Sequence, residues 1–478
     1  MLKYTGHPLI DVGVATITAF AGKDDPADLT EADLDKIADY IAKAYTQKPL
    51  IGFIHGAIFP NSGYTNPGIK PDKRVDFFGP VLYGYRRPAA PGAKPCVCCG
   101  QAAIEQIARD YFPLLSGRGV INFYPEGEAG LPICGRCLLA VQAYPLGSGG
   151  LMLVVDSDNQ EILYHFANKF LDHNRTAIGL AQLADDKTLL RAERSQKTLL
   201  IETLLDARIM QRDFREEGAL FSITAYQVSN SGQSPSLEIY YLPLQSVAFL
   251  QEMHKAEYQQ KWLAIVGRAW EVEPKKKKAK AEPPAFKPRR NWLYEDLFDL
   301  PENAAKFIRT YFLRMALRYV RNVETDPRAN YSIQTEAGLV SWEITAKFLE
   351  RILRMDRERI DQIKKLGDSL AEYIKGQNDR RFFRDFFTVQ RYDHLRNILL
   401  KASVAQARRG HPPLITFDSY ITIFEDGEEL ARPDWRLARD LVLIRMVEQL
   451  HTLKWLGENL EALPETEELS PESELTIE

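Results

Sequence analysis

Four cysteines constrain this chain more than any other feature: Cys96 with Cys99 in CVCC, and Cys134 with Cys137 in CGRC. A Cys-x-x-Cys turn brings two thiolates to one side of the backbone, and two such turns can close a tetrahedral shell of four sulfurs around one cation. Gly100 and Gly135 lie just after or inside the turns, where a tight knuckle needs permissive backbone. The 34 residues between the pairs are more than a minimal ribbon requires. Within them GQAAIEQIARDYFPLL, from Gly100, predicts a helix and residues 120–124 predict a strand. The expected ligand is one structural Zn2+ held by Cys96, Cys99, Cys134 and Cys137, because a shell of four cysteines leaves no open position for water or substrate. Cys98 is expected to be a bystander. The competing readings of the same residues are a redox dithiol, a disulfide pair, or chance.

All five cysteines lie between residues 96 and 137. A secreted protein of 478 residues would scatter its bridges, so this clustering argues for metal and a reducing compartment. No stretch approaches the ~18 apolar residues of a membrane helix. The opening MLKYTGHPLIDVGVATITAF is interrupted by Asp11 and lacks a small-residue cleavage site, so it is expected to be the first buried element of a cytoplasmic protein. With 45% apolar and 26% charged residues the chain can bury real cores, and its length allows two or three domains.

Local signals then organise the chain as an α+β protein. The apolar segment Pro8–Phe20 precedes Thr30-Glu31-Ala32-Asp33, which has capping-box spacing ahead of the helix LDKIADYIAKAY. FPNSGYTNPGIKPDKR, residues 59–74, is a Gly-, Asn- and Pro-rich loop. After the cysteines come a strand in GLMLVVDSD and helical segments to about Phe214. Two alternating runs, ALFSITAYQVS and SLEIYYLPL, then predict an antiparallel hairpin. These make a mixed N-terminal α/β domain, residues 1–270, with a four-cysteine zinc insert at about 90–140. Residues 271–290 are a proline-broken, lysine-rich linker. A C-terminal helical bundle, residues 291–462, follows, with helices expected in LPENAAKFIRTYFLRMALRYV, in VSWEITAKFLERILRMDRERIDQIKKLGDSLAEYI, and in two or three later segments. Residues 463–478 carry six glutamates and no basic residue, and read as a disordered acidic tail.

The formal net charge of −4 conceals local imbalance. Between residues 275 and 290 eight basic residues (Lys275, Lys276, Lys277, Lys278, Lys280, Lys287, Arg289 and Arg290) face one acid, Glu282. They are either a solvated loop or a phosphate-binding segment. Between residues 356 and 409 thirteen Lys or Arg stand against eight Asp or Glu. There Arg380, Arg381 and Arg384 alternate with Phe382, Phe383, Phe386 and Phe387. Helical spacing predicts a core role for the phenylalanines and leaves the arginines as candidate contacts to a nucleic-acid backbone.

The chain has no phosphate-binding G-x-x-x-x-G-K-[ST], no G-x-S-x-G and no H-E-x-x-H. His165 and His173-Asn174 do not fit a His-Asn-His nuclease, and EILYHFANKFLDHNR reads as an amphipathic helix. The expectation is therefore a protein without catalytic activity.

YTGHPLIDVGVATITAFAGK, residues 4–23, together with the paired knuckles and FPNSGYTNP, residues 59–67, resembles the CXXC–CXXC family of CRISPR-associated proteins. The resemblance is clearest over the N-terminal third and looser through the helical region. It implies the non-catalytic large subunit of a type I-B Cascade, the RNA-guided surveillance complex. Its implied partners are the backbone and cap subunits, the CRISPR guide RNA and the target double-stranded DNA, with a helicase-nuclease or transposition proteins recruited in trans. In such a complex pairing reads the sequence, while protein checks a short adjacent motif and supports the R-loop. The turn-rich loop supplies candidates for that check in Asn61, Ser62, Tyr64, Asn66 and Lys70: amides can read base edges, and an aromatic can wedge between bases. An ordinary Asn-Gly-Pro turn explains the same composition. The resemblance also implies a small subunit translated from an internal start, for which Met355 is the candidate; the alternative is a methionine that merely fills a packing gap. From a different class, the rival to all of this is a zinc-stabilised RNA-binding module outside CRISPR biology.

Overall fold

In the computed structural model the opening apolar run forms helix α1, Pro8–Phe20, with Leu9, Ile10, Val12, Val14, Ala15 and Ile17 all buried. A helix apolar on every side belongs inside a core. Pro8 occupies its first turn, and Asp11 holds the entering loop by accepting from Thr5 N–H (2.6 Å) and Gly6 N–H (2.8 Å). The structure describes residues 2–121, 127–211, 220–232, 234–274, 286–426 and 430–463. It divides into two compact units, Met1–Leu244 and Gln245–Glu478, a division upstream of the lysine-rich change in composition.

Around α1 the first unit places α2, Glu31–Ala44; α3, Leu50–Ala57; α4, Gly135–Ala143; α5, Gln160–Ala184; and α6, Gln196–Leu205. The capping box is present: Thr30 Oγ1 accepts from Asp33 N–H (3.3 Å), and Asp33 Oδ2 accepts from Thr30 N–H (3.1 Å). α1 and α4 meet backbone to backbone at Gly13, where an added Cβ would lie 1.9 Å from the Ala140 carbonyl oxygen. Two small antiparallel sheets complete the unit. Strand β1, Glu105–Ile107, pairs with β2, Leu131–Ile133, in the register Gln106 to Pro132. Strands β3, Leu153–Ser157; β4, Ile223–Ser229; and β5, Ser236–Leu242, run in that order, with Val155 opposite Ala225 and Tyr226 opposite Ile239. The expected hairpin is thus β4–β5, and the expected strand in GLMLVVDSD is β3.

The second unit is helical: α7, Leu244–Met253; α8, Ala256–Gly267; α9, Trp342–Arg351; α10, Arg357–Gln377; α11, Arg380–Thr388; α12, Tyr392–Arg408; α13, Phe417–Phe424; and α14, Trp435–Thr452. Phe348 of α9 centres one core, its ring 5.4 Å from Phe249 and 5.2 Å from both Phe307 and Phe312. α10 lies against α14 at Gly367, where a Cβ would meet Arg445 Cβ at 2.7 Å, and Arg445 binds Asp368 at 2.6 Å beside that crossing. Among the described residues no helix is long and apolar enough to cross a membrane.

Three expected helices differ. The run from Gly100 forms β1 and turns, because its backbone pairs with β2 next to the cysteines. The run from Leu300 is helical only as far as Phe312, closing in a π-turn, Ile308–Phe312. There Arg314 adopts φ +59° and buries its guanidinium against Glu336 at 2.6 Å. The long run from Val340 is two helices, α9 and α10, with a new N-cap at Asp356, whose carboxylate accepts from Glu358 N–H (2.9 Å) and Arg359 N–H (3.3 Å). Most of the strand expected at 120–124, the acidic tail beyond Leu463 and the lysine run 275–280 lie outside the described residues.

Candidate metal centre

The two knuckles are built differently. In the first the chain folds back on itself: Gly100 N–H donates to Cys96 O (2.9 Å) and Cys96 N–H to Gln101 O (2.7 Å), with Gly100 at φ +75°. That left-handed conformation is the one glycine adopts without a Cβ clash. In the second, Cys134 caps α4, its sulfur accepting from Cys137 N–H at 3.5 Å. Cys134 and Cys137 therefore share the first turn of a helix, whose N-terminus favours negative charge. An added Cβ on Gly135 would lie 2.2 Å from the Gly84 carbonyl carbon, so the backbone near Gly84 sits directly on this turn. The knuckles are joined by the β1–β2 pairing, by Val97 N–H to Pro132 O and by Ile104 N–H to Ile133 O, both 3.0 Å.

The result is one cluster. The sulfurs of Cys96, Cys99, Cys134 and Cys137 all lie within 4.8 Å of one another. A tetrahedral ion with Zn–S bonds of about 2.3 Å sets its sulfurs about 3.8 Å apart, so the span suits such a cation. Cys96, Cys134 and Cys137 are buried within the hydrophobic core of the first unit, and Cys99 is half-buried at its edge. All five cysteines are free thiols, and the Cys99 and Cys134 sulfurs touch at 3.5 Å, well beyond the roughly 2.05 Å of a disulfide. Hydrogen bonds from Cys134, Cys137 and Cys98 drive the Cys96 thiol far below its usual range, while the bond to Cys96 pushes Cys98 up. Four sulfurs this close together, three of them buried, are a donor set suited to a soft cation, and the four could hold a metal ion such as zinc. Cys98 is half-buried and stands outside the four. A cleft of about 400 Å³ opens beside the cluster, lined also by Tyr85, Arg87, Ile104 and Arg136.

The other candidate residues are dispersed. In the turn-rich loop Asn61 and Lys70 are exposed and Asn66 is half-buried, its Oδ1 accepting from Gly68 N–H at 2.8 Å. Ser62 and Tyr64 are corrected: both are fully buried. Tyr64 points into the core, where its hydroxyl donates to Gln142 Oε1 at 2.6 Å and its ring stacks on Tyr111 at 6.5 Å. The loop composition signalled turns correctly, but a tyrosine with an internal acceptor is better placed inside. In the second unit Lys287 and Arg289 are exposed, and Arg290 lies half-buried with its guanidinium 4.8 Å from the Trp292 ring. Arg380, Arg381 and Arg384 are exposed on α11, while Phe382, Phe383, Phe386 and Phe387 are buried beneath them as expected. Arg380 pairs with Glu461, and Arg381 lies 3.7 Å from Asp385. Met355 sits in the break between α9 and α10.

Sequence reasoning missed the polar residues that tie the first unit together. Gln142 Nε2 donates to Tyr111 O at 2.8 Å, while Asn230 Nδ2 donates to Ile58 O (2.9 Å) and Arg109 O (3.1 Å). The available signal was Gln142 itself, a lone amide within the apolar run LLAVQAYPL. No protein-family model, curated protein or solved structure matches the chain.

Proposed function

We propose that this chain is a non-catalytic, zinc-stabilised nucleic-acid-binding subunit, and specifically the large subunit of a type I-B Cascade. The observation that carries the reading is that the three segments resembling the CXXC–CXXC CRISPR-associated family converge on one helix, α4. Cys134 and Cys137 begin it, α1 packs against it at Gly13 and Ala140, and Tyr64 binds its Gln142. Motifs far apart in sequence thus form one physical unit.

Bound zinc would contribute folding free energy to the knuckles and no chemistry, because four sulfur ligands leave no open position. The chain's own residues do the rest. With Ser62 and Tyr64 buried, reading of the adjacent motif falls to Asn61, Asn66 and Lys70. Exposed Lys287, Arg289, Arg380, Arg381 and Arg384 supply phosphate contacts to duplex, displaced strand or guide. Target cleavage or integration is left to proteins recruited in trans.

The test is purification of the tagged chain from its native operon, followed by sequencing of the bound RNA. A guide of uniform length with repeated backbone subunits is expected. RNA of mixed origin without those subunits would favour the zinc-stabilised RNA-binding module instead, and an RNA-free monomer would overturn both.

A further inference from the structure

The second unit presents a surface of which the sequence motifs mark only Lys287 and Arg289. Residues 317–328 leave and rejoin the fold at one point, where Leu317 N–H donates to Arg328 O at 3.0 Å. The base of this loop is locked. Arg328 is buried, bonds Asp326 and Asp296 at 2.7 Å each, and lies 4.0 Å over the Trp292 ring. Extended residues 270–272 run alongside: Val272 N–H donates to Thr325 O and Glu271 N–H to Arg290 O, both at 3.0 Å. These bonds hold residues 286–290 next to the loop.

The outer part of the loop is different in character. Tyr319 is 83% exposed, and Arg318 and Arg321 on either side of it are exposed too. Across residues 270–272, Phe286, Lys287 and Arg289 form a second exposed row of the same composition. A tyrosine this exposed contributes almost no burial to folding, yet it is carried on a base fixed by the buried Arg328, which pairs with buried Asp326 and half-buried Asp296. Rigidly mounted aromatics flanked by cations are the recurrent way of binding single strands: bases stack on the ring while guanidinium and ammonium groups follow the phosphates. A duplex offers only its phosphates to such a surface, because its bases are already stacked. Glu271, Glu273 and Glu324 share the region and lower its net charge, so stacking must supply a large part of the affinity.

We propose that Tyr319, with Arg318, Arg321, Lys287 and Arg289, binds single-stranded nucleic acid, one base stacking on the Tyr319 ring. This deepens the nucleic-acid reading above but does not depend on membership of a guide-RNA complex.

The experiment uses the purified full-length chain and labelled 20-nucleotide probes of mixed sequence: single-stranded DNA, single-stranded RNA, and the DNA duplex. Tyr319→Ala should weaken single-strand binding about tenfold, as loss of one stacked base does, and leave the duplex little changed. Tyr319→Phe should bind like wild type. Photo-cross-linking of probes carrying 5-iodouracil should map to Tyr319. Tighter DNA binding would identify a displaced strand as the ligand, and tighter RNA binding a guide or transcript. Wild-type affinity in Tyr319→Ala, equal loss on single strand and duplex, or no binding of any probe by the wild-type chain overturns the proposal; the last outcome would leave a protein as the ligand of this surface. If the native complex yields a uniform guide RNA while Tyr319→Ala leaves single-strand binding unchanged, this inference alone falls. If Tyr319→Ala has the expected effect and no guide copurifies, the Cascade assignment alone falls.

Discussion

Tyr64 earns its place through one bond. Its hydroxyl donates to Gln142 Oε1 at 2.6 Å in a site with no exposure. Tyr64→Phe removes that donor and leaves the Gln142 oxygen short of a partner, at a cost of about 1–3 kcal/mol. A lower unfolding midpoint in denaturant is expected, with nucleic-acid affinity of the folded protein unchanged; loss of binding without loss of stability would restore Tyr64 as a base-reading residue. Asp156 supplies a second test. Burial and the charge of Asp11 raise its carboxyl to about 6, against roughly 3.9 in an unfolded chain. The raised value favours the fold fully below about pH 4, and that contribution is lost as pH rises through about 6. Asp156→Asn should therefore stabilise the protein at pH 7.5 by about 1 kcal/mol, allowing for partial solvent screening, and have no such benefit at pH 4. Melting curves at the two pH values decide it. Single residues of this kind were the least legible in the sequence: nothing near Tyr64 announces Gln142, 78 positions away.

At the scale of elements, the cysteine spacing was the most legible feature, because two Cys-x-x-Cys turns admit few arrangements in space. The capping box at Thr30, the β4–β5 hairpin and the amphipathic α5 were readable for the same reason, each being a local pattern with a local cause. The segment after Gly100 was not, since its apolar spacing suits a helix while its neighbours dictate a strand. Pairing with β2 requires Gly130 at φ +77°, where a Cβ would lie 2.7 Å from Ile107 O, and no periodicity within residues 100–115 reports that constraint. The knuckles and β1–β2 should behave as one metal-dependent element. Chelation, or Cys99→Ser, is expected to release bound metal and raise amide exchange across residues 96–107 and 131–137, with little change in α10 or α14. Metal analysis finding less than one ion per chain in the untreated protein would dismiss the site. The basic segment makes a separate prediction. Replacing Lys275–278, Lys280, Lys287, Arg289 and Arg290 by Gln should weaken binding alike on all sequences and flatten its salt dependence, by ~0.7–0.9 in logarithmic slope for each phosphate no longer neutralised. An unchanged slope would make the segment a solvated loop.

At the scale of the whole molecule, the position of Met355 joins sequence to architecture. The helical run expected from Val340 contains it. In the fold it lies in the break between α9 and α10, one residue before the Asp356 cap. A product beginning there keeps α10 to α14 whole, with Arg445 on Asp368 at 2.6 Å and Arg359 on Asp434 at 2.7 Å. It gives up the Phe348 cluster, the Trp342 N–H bond to Glu448 (3.0 Å) and the Arg309 pair with Asp440 (2.9 Å). What remains can form a helical core of its own, with lower stability than in the full chain because Asp440 loses a cationic partner inside the protein. If the chain is the large subunit proposed above, Met355 is the start of its small subunit. A product of 124 residues and about 14 kDa should then copurify with the full chain. Intact-mass analysis of the complex should detect it in the wild type and lose it in Met355→Leu, whose volume-conserving side chain leaves the full-length fold in place. Absence of the band from the wild type, or its persistence in Met355→Leu, would make Met355 a residue of the α9–α10 connection and nothing more.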